Sequence, residues 1–355
     1  MAPGTLQEAT ACGFDVCINQ CARLLSVHWW SLALGGGYPE VQAIRRVFKV
    51  SLSALARANG CHLPVDNDQL AKAMLGHVCF DAAMQAAARL LKAEWSICGG
   101  YALSCLTRFT GPHSKYRYVE QIFSLAEGKV SEDLWLVPHG NGMDKTFYWG
   151  DVDFFLTNTT GQEPTPDTLR QALQNAIAAL KDCLTTVAAY GYGDQFQLGF
   201  DPADFHTADY VDRGYISGVR NFTIAQDLLG RPQRVQLILD DDPDCSAFKT
   251  VRWFDMTHCA VWIHEVALNR GEPELTLGFP CERWRRATAQ RKGYMMVMPP
   301  RGTPLPREQR VQLREMLEKR KARRKKYRER GFTVKLRSLR RFEWLTPALM
   351  RISLA

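Results

Sequence analysis

Residues 150–156 constrain the fold more than any other part of the chain, because they place two acids inside an apolar, strand-forming run. Successive side chains of a strand point to opposite faces, so Asp151 and Asp153 share one face while Val152 and Phe154 share the other. Two carboxylates side by side repel each other, and a divalent, oxygen-loving cation such as Mg²⁺ relieves that repulsion. The simpler alternative is a strand end where both acids meet water.

From residue 95 onward, short apolar runs alternate with segments of helical spacing, a pattern typical of a mixed sheet with helical cover. Strands are predicted at residues 95–98, 146–157, 215–223, 234–239 and 250–256. Apolar residues three and four positions apart predict helices at 101–106, 168–189, 281–292 and 307–330. The same spacing in residues 78–91 predicts a helical N-terminal region over residues 1–94.

Two further features accompany the acid pair. Gly99 and Gly100 fall between a predicted strand and a predicted helix, where backbone N–H groups can donate hydrogen bonds to phosphate oxygens without obstruction from a Cβ atom. Asp255 supplies a third acid within the apolar run 251–256. The acidic cluster 240–244 is a rival for that third position, although its proline makes a turn the simpler interpretation. A glycine turn, an acid pair and a third acid are the components of metal-assisted nucleotidyl transfer.

With these components in this order, the chain resembles the DNA polymerase beta-like nucleotidyltransferase superfamily. Within it, the sequence is similar to a group of poorly characterised viral and eukaryotic nucleotidyltransferase-like proteins. The matching stretches span residues 95–332 and are Gly-Gly-Tyr-Ala-Leu (99–103), Gly-Asp-Val-Asp-Phe-Phe (150–155), Arg-Val-Gln-Leu-Ile (234–238), Phe-Asp-Met-Thr-His-Cys (254–259) and Lys-Tyr-Arg-Glu-Arg-Gly-Phe (326–332). The resemblance implies an α/β (α+β) fold with a nucleotidyltransferase-type mixed sheet.

The resemblance also implies roles for these residues. Asp151, Asp153 and Asp255 would bind Mg²⁺ or Mn²⁺, and Gly99 and Gly100 would hold the phosphates of a nucleoside triphosphate. Two metal ions clamp the entering and leaving oxygens of an in-line displacement, which is why such a site needs three carboxylates.

Ser104 would add a hydroxyl contact to the nucleotide, unless it is an ordinary helix serine bonded to its own backbone.

Two further observations leave the substrate open. The gap between Gly100 and Asp151 is longer than is usual in the superfamily, so an insertion is expected at about residues 111–145. No base-binding or acceptor-binding motif is present.

Charge is concentrated near the C-terminus. Residues 301–341 hold 17 Lys or Arg against 4 Glu, whereas the whole chain has a net charge of only +8. This asymmetry points to a polyanionic partner, with nucleic acid first, and Arg323, Arg324, Lys325 and Lys326 are the predicted phosphate contacts. A solvated helix and a nuclear import signal are the alternatives for the same run.

Several classes of protein are disfavoured. Eleven scattered cysteines favour a reducing intracellular compartment, no secretory signal is recognisable, and no apolar stretch approaches the ~20 residues of a membrane span. The chain lacks G-x-G-x-x-G, P-loop and G-x-S-x-G motifs. His258, Cys259, His264 and Cys281 match no familiar zinc spacing, and His264 is expected on a helix.

We therefore expect a helical region at residues 1–94, a nucleotidyltransferase-like core at 95–300 and a basic, helical C-terminal extension at 301–355. The expected function is Mg²⁺-dependent transfer of a nucleoside monophosphate to a hydroxyl of a nucleic-acid end, a protein or a small molecule. The alternative is an inactive module of the same fold that binds nucleic acid or protein. A viral origin and a cytoplasmic or nuclear location are expected.

Overall fold

The computed structural model describes residues 83–92, 94–109, 151–157, 165–189, 198–205, 216–226, 232–240, 245–269, 272–297, 307–338 and 346–353. Most of the N-terminal region, the expected insertion at 111–145 and the acidic residues 241–244 lie outside these ranges. The described part combines helices with two β-sheets, which confirms the coarse prediction of a mixed α/β structure of the α+β kind.

Ten strands occur in the described residues. In chain order they are β1 (Trp95–Cys98), β2 (Asp151–Leu156), β3 (Leu198–Phe205), β4 (Ile216–Gln226), β5 (Pro232–Asp240), β6 (Trp262–Asn269), β7 (Glu272–Phe279), β8 (Lys292–Val297), β9 (Thr333–Ser338) and β10 (Ala348–Ser353). The predicted strands at 95–98, 215–223 and 234–239 correspond to β1, β4 and β5. Strand β2 lies within the predicted strand 146–157, whereas β3 and the strands from β6 to β10 were not predicted.

The main sheet has eight strands in the order β10-β7-β6-β1-β2-β5-β4-β3. Its neighbours pair antiparallel except for β2 and β5, which are parallel. The acid-bearing strand β2 therefore lies at the centre, between β1 and β5. Central strands are covered on both sides, and Val152 and Phe154 of β2 are completely buried.

Helices are found at residues 83–90 (α1), Gly100–Phe109 (α2), Pro166–Ala189 (α3), Ala247–Arg252 (α4), Glu282–Ala289 (α5) and Arg307–Glu329 (α6). Helix α2 packs on β1 and β2, and α3 packs on β5. The helices predicted at 101–106, 168–189 and 307–330 are confirmed, and α5 is shorter than the predicted range 281–292. None of the helices in these ranges is long and apolar enough to cross a membrane.

The predicted strand at 250–256 is wrong, because this segment begins within helix α4. The Ser246 hydroxyl accepts a hydrogen bond from the Lys249 N–H (3.2 Å), which caps the helix start. Thr250 and Val251 then bury their β-branched side chains from the helix. The helix ends at Arg252, so Asp255 lies in a bend after it.

A second, two-stranded sheet connects the bend to the basic helix. Strands β8 and β9 are parallel, and α6 is the helix that lies between them in the chain. The bend pairs with β8 through a Met256–Met295 bridge, and the Thr257 N–H donates to the Tyr294 carbonyl (2.9 Å). Region 301–355 thus contains α6 as predicted, but also β9 and the edge strand β10 of the main sheet.

Candidate functional site

The turn between β1 and α2 is built around Gly99. Its φ of +85° lies in the left-handed region, which an L-residue adopts only with strain. The Gly99 N–H donates to the Val261 carbonyl (2.8 Å), and the Gly99 carbonyl accepts from Leu103 to start the helix. A Cβ at position 99 would lie 3.8 Å from the Asp153 Oδ2 atom and 3.3 Å from the Phe254 ring. The turn therefore lies against both the acid strand and the residue that precedes Asp255.

Asp151 and Asp153 lie on one face of β2, as predicted from the alternation, and both are half-buried. Asp153 is opposite Cys98, the last residue of β1, and Asp151 is opposite Arg234 of β5. The acid pair thus lies at the end of β2 that is next to the Gly99 turn.

The basic helix contributes to the same region. The Arg323 Nη1 atom lies 2.8 Å from the Asp255 Oδ1 atom. The two groups form an ion pair but are not aligned for a hydrogen bond. Lys326, one helical turn further on, is close enough to Asp151 for the two charges to influence each other. A Cβ at Gly100 would lie 3.9 Å from the Tyr327 hydroxyl. We call the face of α6 that carries Arg323, Lys326 and Tyr327 the inner face.

Burial and charge oppose each other at Asp151. Desolvation raises the pKa of its carboxyl, while the positive charges of Arg234 and Lys326 lower it by less. Desolvation also lowers the pKa of the Lys326 ammonium, with Arg330 and Arg323 acting in the same direction. Both groups are therefore held in an environment that disfavours charge, and a bound counter-charge would stabilise either of them.

Below the inner face lies an aromatic cluster around His258, which is completely buried. Its ring stacks on Phe332 with centroids 4.8 Å apart and meets the edge of Tyr327 at 4.6 Å. Neither ring nitrogen has a hydrogen-bond partner among the described residues. Burial, followed by the charges of Arg323 and Arg330, lowers the pKa of His258 to about 3, so the imidazole is neutral. This cluster supports the helix from beneath.

The structure separates the four basic residues predicted to contact nucleic acid. Arg323 and Lys326 belong to the inner face, where they adjoin Asp255 and Asp151. Arg324 and Lys325 lie on the opposite face of α6 and line a surface cavity there.

Ser104 is not placed for the expected nucleotide contact. It is completely buried, and its hydroxyl donates to the Tyr101 carbonyl of the same helix (2.7 Å). This is the ordinary bonding of a helix serine, so we leave Ser104 out of the candidate site.

The three residues predicted to bind a metal ion are Asp151, Asp153 and Asp255. Within the described ranges, no three His, Cys, Asp or Glu side chains come close enough together to hold a metal ion. The geometry places Asp153 beside the turn and Asp255 against Arg323. The zinc alternative also lacks support in these ranges, because His258 and Cys259 are buried in the aromatic cluster whereas His264 is exposed on strand β6, not on a helix.

Two contributors to this region, Arg234 and Phe254, were given no role from the sequence. Arg234 depends on the parallel register of β2 and β5, which no local pattern encodes. For Tyr327, the resemblance implied that the segment around it packs beside the active cleft, and Tyr327 is also the single aromatic residue in the basic run 319–330.

Comparison with known proteins gives no assignment. No family model matches this sequence, and searches of curated proteins and of solved structures find no significant match.

Replacing Gly99 with alanine should destabilise the fold more than the same change at Gly331, whose φ of +83° is nearly identical. Both variants force alanine into the left-handed region at a cost of about 1–2 kcal/mol. Gly99→Ala also adds a tight contact, 3.3 Å from the Phe254 ring. Urea unfolding of both variants measures the difference, and equal losses would show that the turn does not press on Phe254.

Proposed function

We propose that this chain is a Mg²⁺-dependent nucleotidyltransferase with a DNA polymerase beta-like fold, which transfers a nucleoside monophosphate from a triphosphate to a hydroxyl acceptor. The observation that carries the proposal is the contact of the left-handed Gly99 turn with Asp153, on the same strand face as Asp151. A turn without a Cβ atom beside two half-buried carboxylates can accommodate phosphate oxygens together with the cations that neutralise them.

The donor chemistry fits a hard divalent ion. Asp151 and Asp153 provide oxygen ligands from one strand face, and the raised pKa of Asp151 means that a bound cation would stabilise its ionised form. Asp255 would join them as a third ligand, with its present partner Arg323 turning to the ligand's phosphates. When bound, such an ion polarises the transferring phosphate and neutralises the leaving pyrophosphate.

The remaining groups act on the triphosphate directly. Arg323 and Lys326 bring two positive charges to the acid region, where they can attract phosphate oxygens. The Tyr327 hydroxyl near Gly100 limits the space above the turn. These roles give the basic inner face a purpose in nucleotide binding rather than in nucleic-acid binding.

Incubation of the protein with each labelled nucleoside triphosphate, Mn²⁺ and a pool of RNA, DNA and protein acceptors tests this proposal. We expect label transfer from at least one nucleotide, and its loss in Asp255→Asn. The same incubation with Asp182→Asn, a change to an exposed aspartate on α3, should leave transfer intact. The absence of transfer to every acceptor would count against catalysis.

A second candidate is a non-catalytic module of the same fold. The Arg323–Asp255 ion pair favours it, because the third acid already has a counter-charge and is only 12% exposed. In that case the chain would bind neither metal nor nucleotide at the acids. Titration calorimetry with Mn²⁺ and a nucleoside triphosphate separates the two candidates, since only the enzyme should show binding that Asp151→Asn and Asp153→Asn remove.

A further inference from the structure

The outer face of α6 carries a group of four cations that the acid region does not use. Lys321, Arg324, Lys325 and Arg328 occupy positions i, i+3, i+4 and i+7, so they lie on one side of the helix. They span about 10 Å along the axis at a rise of about 1.5 Å per residue. The inner-face residues Arg323, Lys326 and Tyr327 repeat the first three positions of this spacing two residues later and therefore point the opposite way. We call the first group the outer cationic face.

These four side chains line one surface cavity of about 480 Å³. The Arg324 Nε atom donates to the Val334 carbonyl of β9 (3.1 Å), which fixes the guanidinium and leaves its two terminal nitrogens for another ligand. Glu318 is an acid beside this group, and it pairs with Lys321. Both partners of that pair are more than two-thirds exposed, so the pair is weak and readily exchanged.

Three of the four side chains on this face are open to solvent. Lys321, Lys325 and Arg328 are exposed, whereas Tyr327 on the inner face is buried. Four like charges within 10 Å repel one another, and a polyanion would relieve that repulsion. Nine of the twelve residues 319–330 are Lys or Arg, so the surrounding helix adds to the positive potential.

We propose that the outer cationic face binds the sugar-phosphate backbone of a nucleic acid. One strand of a duplex carries a phosphate every 3.4 Å of helix axis, so a 10 Å row of cations spans about three successive phosphates. No aromatic side chain or amide belongs to the group, so it contacts the backbone without reading bases. The inference goes beyond the proposed nucleotidyl transfer and holds equally for an inactive module.

The test is the salt dependence of binding to a labelled DNA duplex and to a labelled single-stranded RNA, followed by fluorescence anisotropy between about 50 and 200 mM salt. Each phosphate contact contributes about −0.9 to the log–log slope on a duplex and about −0.7 on a single strand. The double variant Arg324→Gln with Lys325→Gln should flatten the slope by roughly 1.4 to 1.8. The same principle gives an affinity loss on the order of 10- to 30-fold at physiological salt.

Two controls make the result specific to this face. Arg323→Gln with Lys326→Gln removes the same two residue types from the inner face and should change the slope much less. Lys181→Gln with Arg351→Gln removes two exposed charges from α3 and β10 and should leave it unchanged. Equal flattening by all three variants, or a wild-type protein that binds neither probe, would overturn the proposal. Binding of a sulfated polysaccharide with the same affinity and slope would also overturn it, because the face would then be a general anion surface.

Discussion

Asp151→Asn should greatly reduce the proposed nucleotidyl transfer while making the folded protein more stable at neutral pH. The gain in stability arises because burial raises the pKa of this carboxyl above its ordinary value of 3.8. An acid whose folded pKa is raised contributes stability below its unfolded pKa, and this contribution is lost as pH rises through the folded pKa. At neutral pH the ionised group therefore opposes folding, and asparagine removes that opposition.

Transfer should fall on the order of 1000-fold in Asp151→Asn. Neutralising the transferring phosphate with a metal ion is worth several kcal/mol, and each 1.4 kcal/mol corresponds to about a factor of ten in rate. Asp153→Asn should reduce transfer by a similar factor, since Asp153 lies beside the Gly99 turn.

The pH profile of stability distinguishes this account from simple damage to the fold. Urea unfolding of wild type and Asp151→Asn should give similar stabilities near pH 3, with the variant becoming the more stable one as pH rises to 7. Mn²⁺ should then raise the melting temperature of wild type but not that of the variant. A variant that is less stable than wild type at pH 7, or that retains transfer, contradicts the assignment of Asp151.

Acid should destabilise the protein by up to about 5 kcal/mol through His258 alone. Burial and the charges of Arg323 and Arg330 lower the pKa of His258 from 6.5 to about 3. A group with a depressed folded pKa contributes stability that is present above its unfolded pKa, here 6.5, and that is lost progressively as pH falls to 3. The loss approaches 1.4 kcal/mol per pH unit within that window. Since a whole domain is stable by only about 5–15 kcal/mol, this one imidazole can dominate acid unfolding.

The measurement is the free energy of unfolding between pH 7 and pH 3.5 in wild type and in His258→Phe. Phenylalanine does not titrate and keeps an aromatic ring between Tyr327 and Phe332, so most of the pH dependence should disappear. The phenylalanine ring is larger than imidazole, and Gly293 packs tightly against this position, since a Cβ added to Gly293 would lie 2.1 Å from the imidazole. His258→Gln is therefore a second, smaller variant with the same readout. His264→Gln, at an exposed position on β6, should retain the wild-type slope. Unchanged slopes in both His258 variants would refute the prediction.

The central strands and long helices could be predicted because their side chains follow a single regular period. Strand β2 alternates buried and half-buried residues over Asp151–Phe154, and this alternation placed both acids on one face. Helix α3 likewise follows the three-and-four spacing of its apolar residues. Local periodicity is sufficient wherever an element packs evenly along its length.

Strand β6 could not be predicted in this way because a bulge disturbs its alternation. The register shifts between Ile263 and Glu265, so two buried residues, Trp262 and Ile263, are followed by two exposed ones, His264 and Glu265. That pattern imitates the spacing of a helix, and a helix was the expected location of His264. The bend at Asp255 was missed for a related reason, since the buried Thr250 and Val251 suggest a strand until the Ser246 cap is recognised.

The position of the basic helix depends on contacts far apart in the sequence. The helical spacing alone shows that Arg323 and Arg324 point in different directions, because adjacent residues are about 100° apart around a helix. Which of the two meets an acid depends on the pairing of β8 with β9 and on the bend that places Asp255. No interval of the sequence contains that information.

The C-terminal strand determines how the basic segment can be studied. Strand β10 pairs with β7 along its whole length, from Ala348 opposite Phe279 to Ser353 opposite Glu274. A deletion that begins before α6 would therefore uncover the edge of the main sheet, and an uncovered apolar edge invites aggregation. Shortened proteins would lose the proposed nucleic-acid-binding face and the edge strand together, so their behaviour would report on sheet closure as much as on charge. Substitutions within the intact chain are the appropriate tool for separating the two.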